Sequence, residues 1–450
     1  MKKNYLAFIL VTVVMYGCEK GNVPLPDNTV KFTASETGIS PSEKSKVFTV
    51  NLDRTIEKDV KVQLSIVGTG LIYDKDYTTT PAAVNGQLSL MIPVGKTEAT
   101  VTVNKKKDLY DKDDAVLFTL ISAGPEVVLG APTTLNVKFQ EIISEGSKMT
   151  LNGGEGGANA ENMVYVDLSN NTQTAVPRQS WNLGLYCGDK DAIKLNNATT
   201  AMATQVEKGY LGKIMSEANV TNYKKLLQLN YTIEGFKYLD SWDGDITKTI
   251  VKEGIEYVMN PGGKDDPLYI IQVDKKDADT YIVRYSKVTD SNIHSIEVKK
   301  DKAYDYQYVS FASGNIVSVE PPKGKWDILY GKFSYFSNGA GEKIPYNFSD
   351  LIFNNSANGV EVAEVKTSEV TFDAFGLTNI KTLTFSGAVD AIGAKWRIGG
   401  GPGKQPTVKQ DIFYVIKDVA GNYYKLRFLN MSVTDGGVRG KPEMEYKLIK

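Results

Sequence analysis

The chain has 450 residues, too many for one ordinary hydrophobic core, and the length alone points to about three folded units. Its 52 basic and 53 acidic residues leave a formal net charge of -1, so no broad electrostatic field draws it to nucleic acid or to an anionic membrane.

The first eighteen residues read as an export signal. Lys2 and Lys3 form a positive n-region, Leu6 to Met15 an apolar run of about ten residues, and Gly17 sets a small residue directly before Cys18. A run that short cannot span a bilayer, which takes about 20 apolar residues. The arrangement resembles a bacterial lipoprotein signal, in which cleavage precedes the cysteine and its thiol is then acylated. Met15 stands where such signals usually carry Leu. The plainer reading is a secretory signal with an incidental cysteine. On the first reading Cys18 is the lipidation site, and Cys187, the other cysteine, has no disulfide partner. Residues 19–28, with Gly21, Pro24 and Pro26, read as a tether. No later stretch is apolar enough to cross a membrane.

From residue 29 to 140 apolar residues alternate with polar ones in VKFTAS, KVFTVNLD and VKVQLSIV, with turn signals between, which predicts a β-sandwich. The order VNLDRTIEKDVKVQLSIVG, DKDYTTTP, MIPVGKTEATVTVN, DLYDKDDAVLFTLISA and LGAPTTLNVKFQ resembles a Calx-beta domain over nearly the whole unit. Members of that family commonly bind calcium through acidic loops. Asp74, Asp76, Asp111, Asp113 and Asp114 are the hard oxygen donors here, although Lys75 and Lys112 interrupt both clusters. The alternative is a spacer domain with a solvated acidic edge.

The remainder is a duplication. YVDLSNNTQTAVPRQSWNLGLY, from Tyr165, returns in edited form as YVSFASGNIVSVEPPKGKWDILY, from Tyr308, each reading as strand, turn, strand, linker, strand. LYIIQVDKKDADTYIVRYSKVTD, from Leu268, parallels FYVIKDVAGNYYKLRFLNMSVTD, from Phe413. Trp181 precedes the first of these hairpins by 87 residues and Trp326 the second by the same number. Two tandem β-rich modules are therefore expected, 145–300 and 301–450, in an all-β chain. Helix is expected only at Val220 to Leu229 and around Tyr210. The glycines at 153, 154, 156 and 157 read as a loop, since no Gly-Lys-Ser/Thr triplet follows them.

The order YVSF, VSV, KWDI, then FYVIKDVAGNYYKLRFLNM and GVRGKPEMEYKLIK resembles the HmuY family of haem-binding lipoproteins of Bacteroidota. The second copy matches over nearly its whole length and the first is more diverged, with Asn182 where the second has Asp327. The resemblance implies an outer-membrane lipoprotein, on the periplasmic or the cell-surface face, that takes up haem and passes it to a TonB-dependent receptor. It also implies two histidine ligands, the first just after the WDI run. That place holds Tyr186 in copy one and Gly331 in copy two, and the chain's single histidine, His294, lies between the copies. Paired histidines within one chain are excluded. Haem iron also accepts thioether or phenolate. The duplicated part carries Met149, Met163, Met202, Met215, Met259, Met431 and Met444, and Met215 follows Tyr186 by 29 residues. Tyr186 with Met215, or with Met202 in its place, is the candidate axial set, against the reading that these methionines only fill the core.

Catalysis is not expected: any Ser-His-Asp or Cys-His set would have to use His294, and no G-x-S-x-G elbow is present. The second functional reading is a surface glycan- or protein-binding lipoprotein on a scaffold that has lost its haem site, with Trp242, in the polar run LDSWDGD, as the residue to stack on a sugar face.

Overall fold

The computed structural model describes residues 27–39, 43–107, 109–111, 113–140, 144–240, 245, 248–262, 266–339, 341–401 and 403–449. Cys18, the signal at 1–18 and most of the tether lie outside the described residues, as does Trp242. The chain is almost entirely β and divides into two compact units, residues 1–142 and 143–450.

In the first unit, alternating burial along strands such as Val60–Thr69 and Gln87–Ile92 presents one apolar face from each of two five-stranded sheets. One sheet runs Tyr77–Thr80, Glu98–Lys105, Ser45–Leu52, Thr29–Phe32, Val128–Leu129, and the other Glu36–Gly38, Thr134–Lys138, Ala115–Ser122, Val60–Thr69, Gln87–Ile92. Between them Phe32, Phe48 and Phe118 meet edge to face, with Val50, Val62, Leu64 and Val137 filling the space around them. The sandwich expected for 29–140 is present.

The second unit corrects the expected division at residue 300. Each copy does form a hairpin, Asn162–Asp167 with Thr172–Pro177 and Tyr306–Ser310 with Asn315–Val317. The third strand of each copy, however, leaves its own hairpin and adds to the other one. Leu183–Tyr186 pairs with Tyr306–Ser310, and Ile328–Gly339 pairs with Asn162–Asp167. The exchange is reciprocal and its registers correspond, Leu183 opposite Val309 and Ile328 opposite Val166. The residue after each tryptophan locks it. Asn182 donates its N–H to the Val309 carbonyl at 2.8 Å and accepts from the Phe311 N–H at 2.7 Å. Asp327 repeats both bonds with the Val166 carbonyl at 2.7 Å and the Leu168 N–H at 2.8 Å. Two modules built this way share their sheets, so no boundary can fall between them.

The unit also holds two five-stranded sheets. One is drawn from the first copy alone, Met202–Gln205 through His294–Lys299. The other holds Glu361–Lys366, Ile412–Lys417, Tyr423–Asn430 and Glu443–Leu448, completed by Gly146–Thr150 from the start of the unit. The hairpins matched in the sequence are both there, Tyr269–Asp277 with Thr280–Lys287 and Ile412–Lys417 with Tyr423–Asn430. A helix forms at Glu217–Leu226, where Ser216 caps the first turn by accepting from the Asn219 N–H, Glu217 opens it, and Lys224 and Lys225 close it. No helix forms around Tyr210, because Gly209 and Gly212 take positive φ there.

Candidate functional site

The exchange leaves a cleft of about 270 Å3 at its seam, lined by residues of both copies. Strand alternation turns side chains two apart to the same face, which sets Met163 with Tyr165, Tyr306 with Tyr308 and Phe333 with Tyr335 along its walls. The two repeated tryptophans close the seam in matching fashion. Trp181 meets Tyr308 edge on at 4.9 Å, and Tyr165 meets Trp326 edge on at 5.1 Å, so each copy's Tyr packs on the other copy's Trp. Such pairs contribute about 0.5–1.5 kcal/mol each beyond their burial.

A polar chain runs through this aromatic wall. The Lys194 ammonium stands 3.9 Å from the centre of the Tyr306 ring and donates to the Tyr308 hydroxyl at 2.8 Å. Tyr308 in turn donates to Glu320 Oε2 at 2.7 Å, while the Tyr306 N–H donates to Glu320 Oε1 at 2.8 Å. Burial drives both ends of this chain toward neutrality, lowering Lys194 and raising Glu320, though the attraction between the two charges works against it. Asp240, which accepts from the Leu195 and Ile250 N–H groups, is pushed up to about 6 by desolvation. Burial and then the Glu320 charge hold the Tyr308 phenol far above its ordinary range.

The candidate haem ligands do not come together. Tyr186 lines the cleft, packed edge on against Tyr306 at 5.2 Å. Met202 and Met215 lie in a separate core with Val206, Leu227, Leu239 and Ile270. Gly331 sits at a bulge in Ile328–Gly339, and the Phe333 ring lies 3.0 Å from where a β-carbon would stand. His294 is exposed on an outer strand, stacked on Tyr285. Cys187 is buried, and burial raises its thiol. The one thioether on the cleft wall is Met163, which the sequence named among seven methionines without singling it out. The axial set expected from the sequence, Tyr186 with Met215 or Met202, is therefore not assembled in the cleft, and the acidic residues Asp240, Asp305 and Glu320 line the same space.

Two of the calcium candidates meet around a lysine rather than around an open space. Asp76 and Asp114 are buried and face each other across Lys107, whose ammonium lies 3.7 Å from Asp76 Oδ1 and 3.4 Å from Asp114 Oδ2. Asp74, Asp111 and Asp113 are exposed around them. A side-chain cation holds the position that a dication would need, and among the described residues no three acidic, His or Cys groups converge on a metal-sized space.

A family model described as HmuY protein matches residues 159–446, more than half of the chain and across both copies. No curated protein matches the chain. Among solved structures, the apo form of the Calx CBD1 domain is 15% identical, covering 26% of this chain and 97% of its own, with a TM-score of 0.22. A two-domain protein of unknown function from Bacteroides fragilis is 12% identical, covering 37% and 78%, with a TM-score of 0.19. A putative carbohydrate binding protein from Bacteroides ovatus is 10% identical, covering 94% and 98%, with a TM-score of 0.18.

Proposed function

The chain belongs to the HmuY family, and from that premise we propose that it is a lipid-anchored cell-envelope protein that captures a small ring-bearing ligand in the cleft at the strand exchange, without turnover, for delivery to an outer-membrane receptor. The cleft carries this reading. It lies in the part matched by the family model, has aromatic walls from both copies, and holds buried polar groups at fixed positions, the usual composition of a small-molecule site. Histidine-paired haem capture is not the mode, because the single histidine is exposed on an outer strand away from the cleft. Among the described residues no helix is long and apolar enough to cross a membrane; the support for a lipid anchor is the Gly17-Cys18 pair behind the apolar run at Leu6 to Met15.

Two measurements test the reading. Cys18→Ala should move the protein from the detergent phase to the aqueous phase and abolish fatty-acid labelling in a bacterial host; unchanged labelling would sink the anchor. Haemin titrated into the mature chain should not give the sharpened Soret band of a six-coordinate iron. Such a band, lost on Met163→Ala or Tyr186→Phe, would restore haem as the ligand and overturn the donor argument.

A further inference from the structure

Four carboxylates and one ammonium line the cleft, and three of the four carboxylates have a basic group opposite. Glu320 meets Lys194 through the Tyr308 hydroxyl, Asp305 faces Lys323 at 3.5 Å, and Asp245 faces Lys248 at 3.7 Å. Asp240 is the exception. It accepts from the Leu195 and Ile250 N–H groups, and no ion pair among the described residues includes it. Those two bonds use two of the roughly four acceptor positions on a carboxylate and leave its charge in place. Desolvation outweighs them and the longer-range pull of Lys194 and Lys252, so the carboxyl sits at about 6 and is ionised at neutral pH. Asp240 is thus a half-buried negative charge on the cleft wall without a counter-charge at contact distance.

The rings around it suit a positive charge. Lys194 already shows how this wall holds one, its ammonium 3.9, 4.9 and 5.6 Å from the ring centres of Tyr306, Tyr308 and Trp181. Asp240 belongs to the same corner, since burial, then the Glu320 charge and then the Asp240 charge raise the Tyr306 phenol. Beyond those three rings, Tyr186 and Trp326 line the cleft half-buried, and no Lys or Arg of the described residues stands over either. An anion entering here would face four carboxylates. A neutral ring would leave the Asp240 charge as it stands.

We propose that the cleft takes a ring-bearing organic monocation, with its charge beside Asp240 and its carbon faces against the aromatic wall. This inference names the ligand class of the function proposed above and rests on the cleft being the ligand site.

The test is calorimetric titration of the mature chain at neutral pH with two cations, benzyltrimethylammonium and N-methylpyridinium, and with benzyl alcohol and benzoate as neutral and anionic counterparts. A cation should bind at least about tenfold more tightly than benzyl alcohol, and benzoate should not bind. Asp240→Asn removes the charge and should weaken the cation about tenfold while leaving benzyl alcohol unchanged. Ala357→Trp places bulk at an exposed position on the cleft wall, so it carries the test if Asp240→Asn does not fold, and should abolish cation binding with the melting temperature unchanged. Cation binding that survives in a folded Asp240→Asn or in Ala357→Trp at the parent's affinity overturns the proposal. Benzyl alcohol or benzoate bound as tightly as either cation also overturns it, and loss of that binding in Ala357→Trp would keep the cleft as the ligand site. If none of the four probes binds, the inference and the cleft reading fall together.

Discussion

At the scale of single residues, Asp327 shows how a repeat is kept when one of its members is chemically awkward. Its counterpart Asn182 makes the same two backbone bonds as a neutral amide. Burial pushes Asp327 up to about 8, with Asp167 and Asp418 adding repulsion, so near neutral pH it holds its proton and substitutes for an amide. Below about pH 4 the folded and unfolded chains are both protonated there and the group contributes nothing to the pH dependence. Between about 4 and 8 only the unfolded chain gives up the proton, so stability falls as pH rises, and above 8 the full cost is present. Each pKa unit is worth about 1.4 kcal/mol, so the shift amounts to a cost of several kcal/mol. Asp327→Asn should therefore raise stability by a few kcal/mol at pH 8 and by almost nothing at pH 4, read by urea denaturation across that range. An equal effect at both ends would show that the carboxyl does not titrate as described. Lys107 poses the corresponding case in the first unit. Millimolar calcium should leave the parent's melting temperature unchanged, and Lys107→Ala should lower it by removing the cation between Asp76 and Asp114. A calcium-dependent rise in the parent would mean that the ion displaces the lysine.

At the scale of elements, the anchors were legible and their pairing was not. Period-two alternation placed the sandwich strands, and the repeated Tyr and Trp marked the hairpins and third strands of both copies. Which hairpin a third strand joins cannot be read from such a pattern. Leu183–Tyr186 offers the same alternation to either hairpin, and register depends on that alternation rather than on chain distance. The same limit explains the candidate ligands. Spacing from Tyr186 favours Met215, with Met202 as its substitute, but it does not say which face of a sheet a residue occupies. Met202 packs on one face of its sheet, while Met259 on the neighbouring strand packs into the core on the other. Lys194, Glu320 and Asn354 arrive in the cleft from segments far apart in sequence, with no local motif. The signal that could have found them was the duplication itself, because the repeated Tyr165 and Tyr308, with Trp181 and Trp326, all converge there. Shared sheets also carry a prediction. Residues 143–300 or 301–450 produced alone should stay unfolded or associate, and mixing them should restore a one-to-one complex with native β signal, measured by light scattering and circular dichroism. A folded monomer from either half would contradict the exchange.

At the scale of the whole molecule, residues 1–142 and 143–450 hold separate cores, and the second should keep its melting transition when the first is removed. A loss of more than a few degrees would show that the two are coupled. Inside the second unit, Gly146–Thr150 pairs with Glu443–Leu448, residue 146 opposite 447 and 150 opposite 443. The opening strand of the unit must therefore wait for its final strand. At a synthesis rate of about 5–20 residues per second, that wait is roughly 15–60 s. During it, Gly146–Thr150 has no sheet to join and Leu183–Tyr186 has no Tyr306–Ser310, so exposed edges persist on a growing chain whose most distant contacts form last. The arrangement that builds a binding cleft from two copies thereby also sets the time at which the molecule is most open to mispairing with another copy of itself.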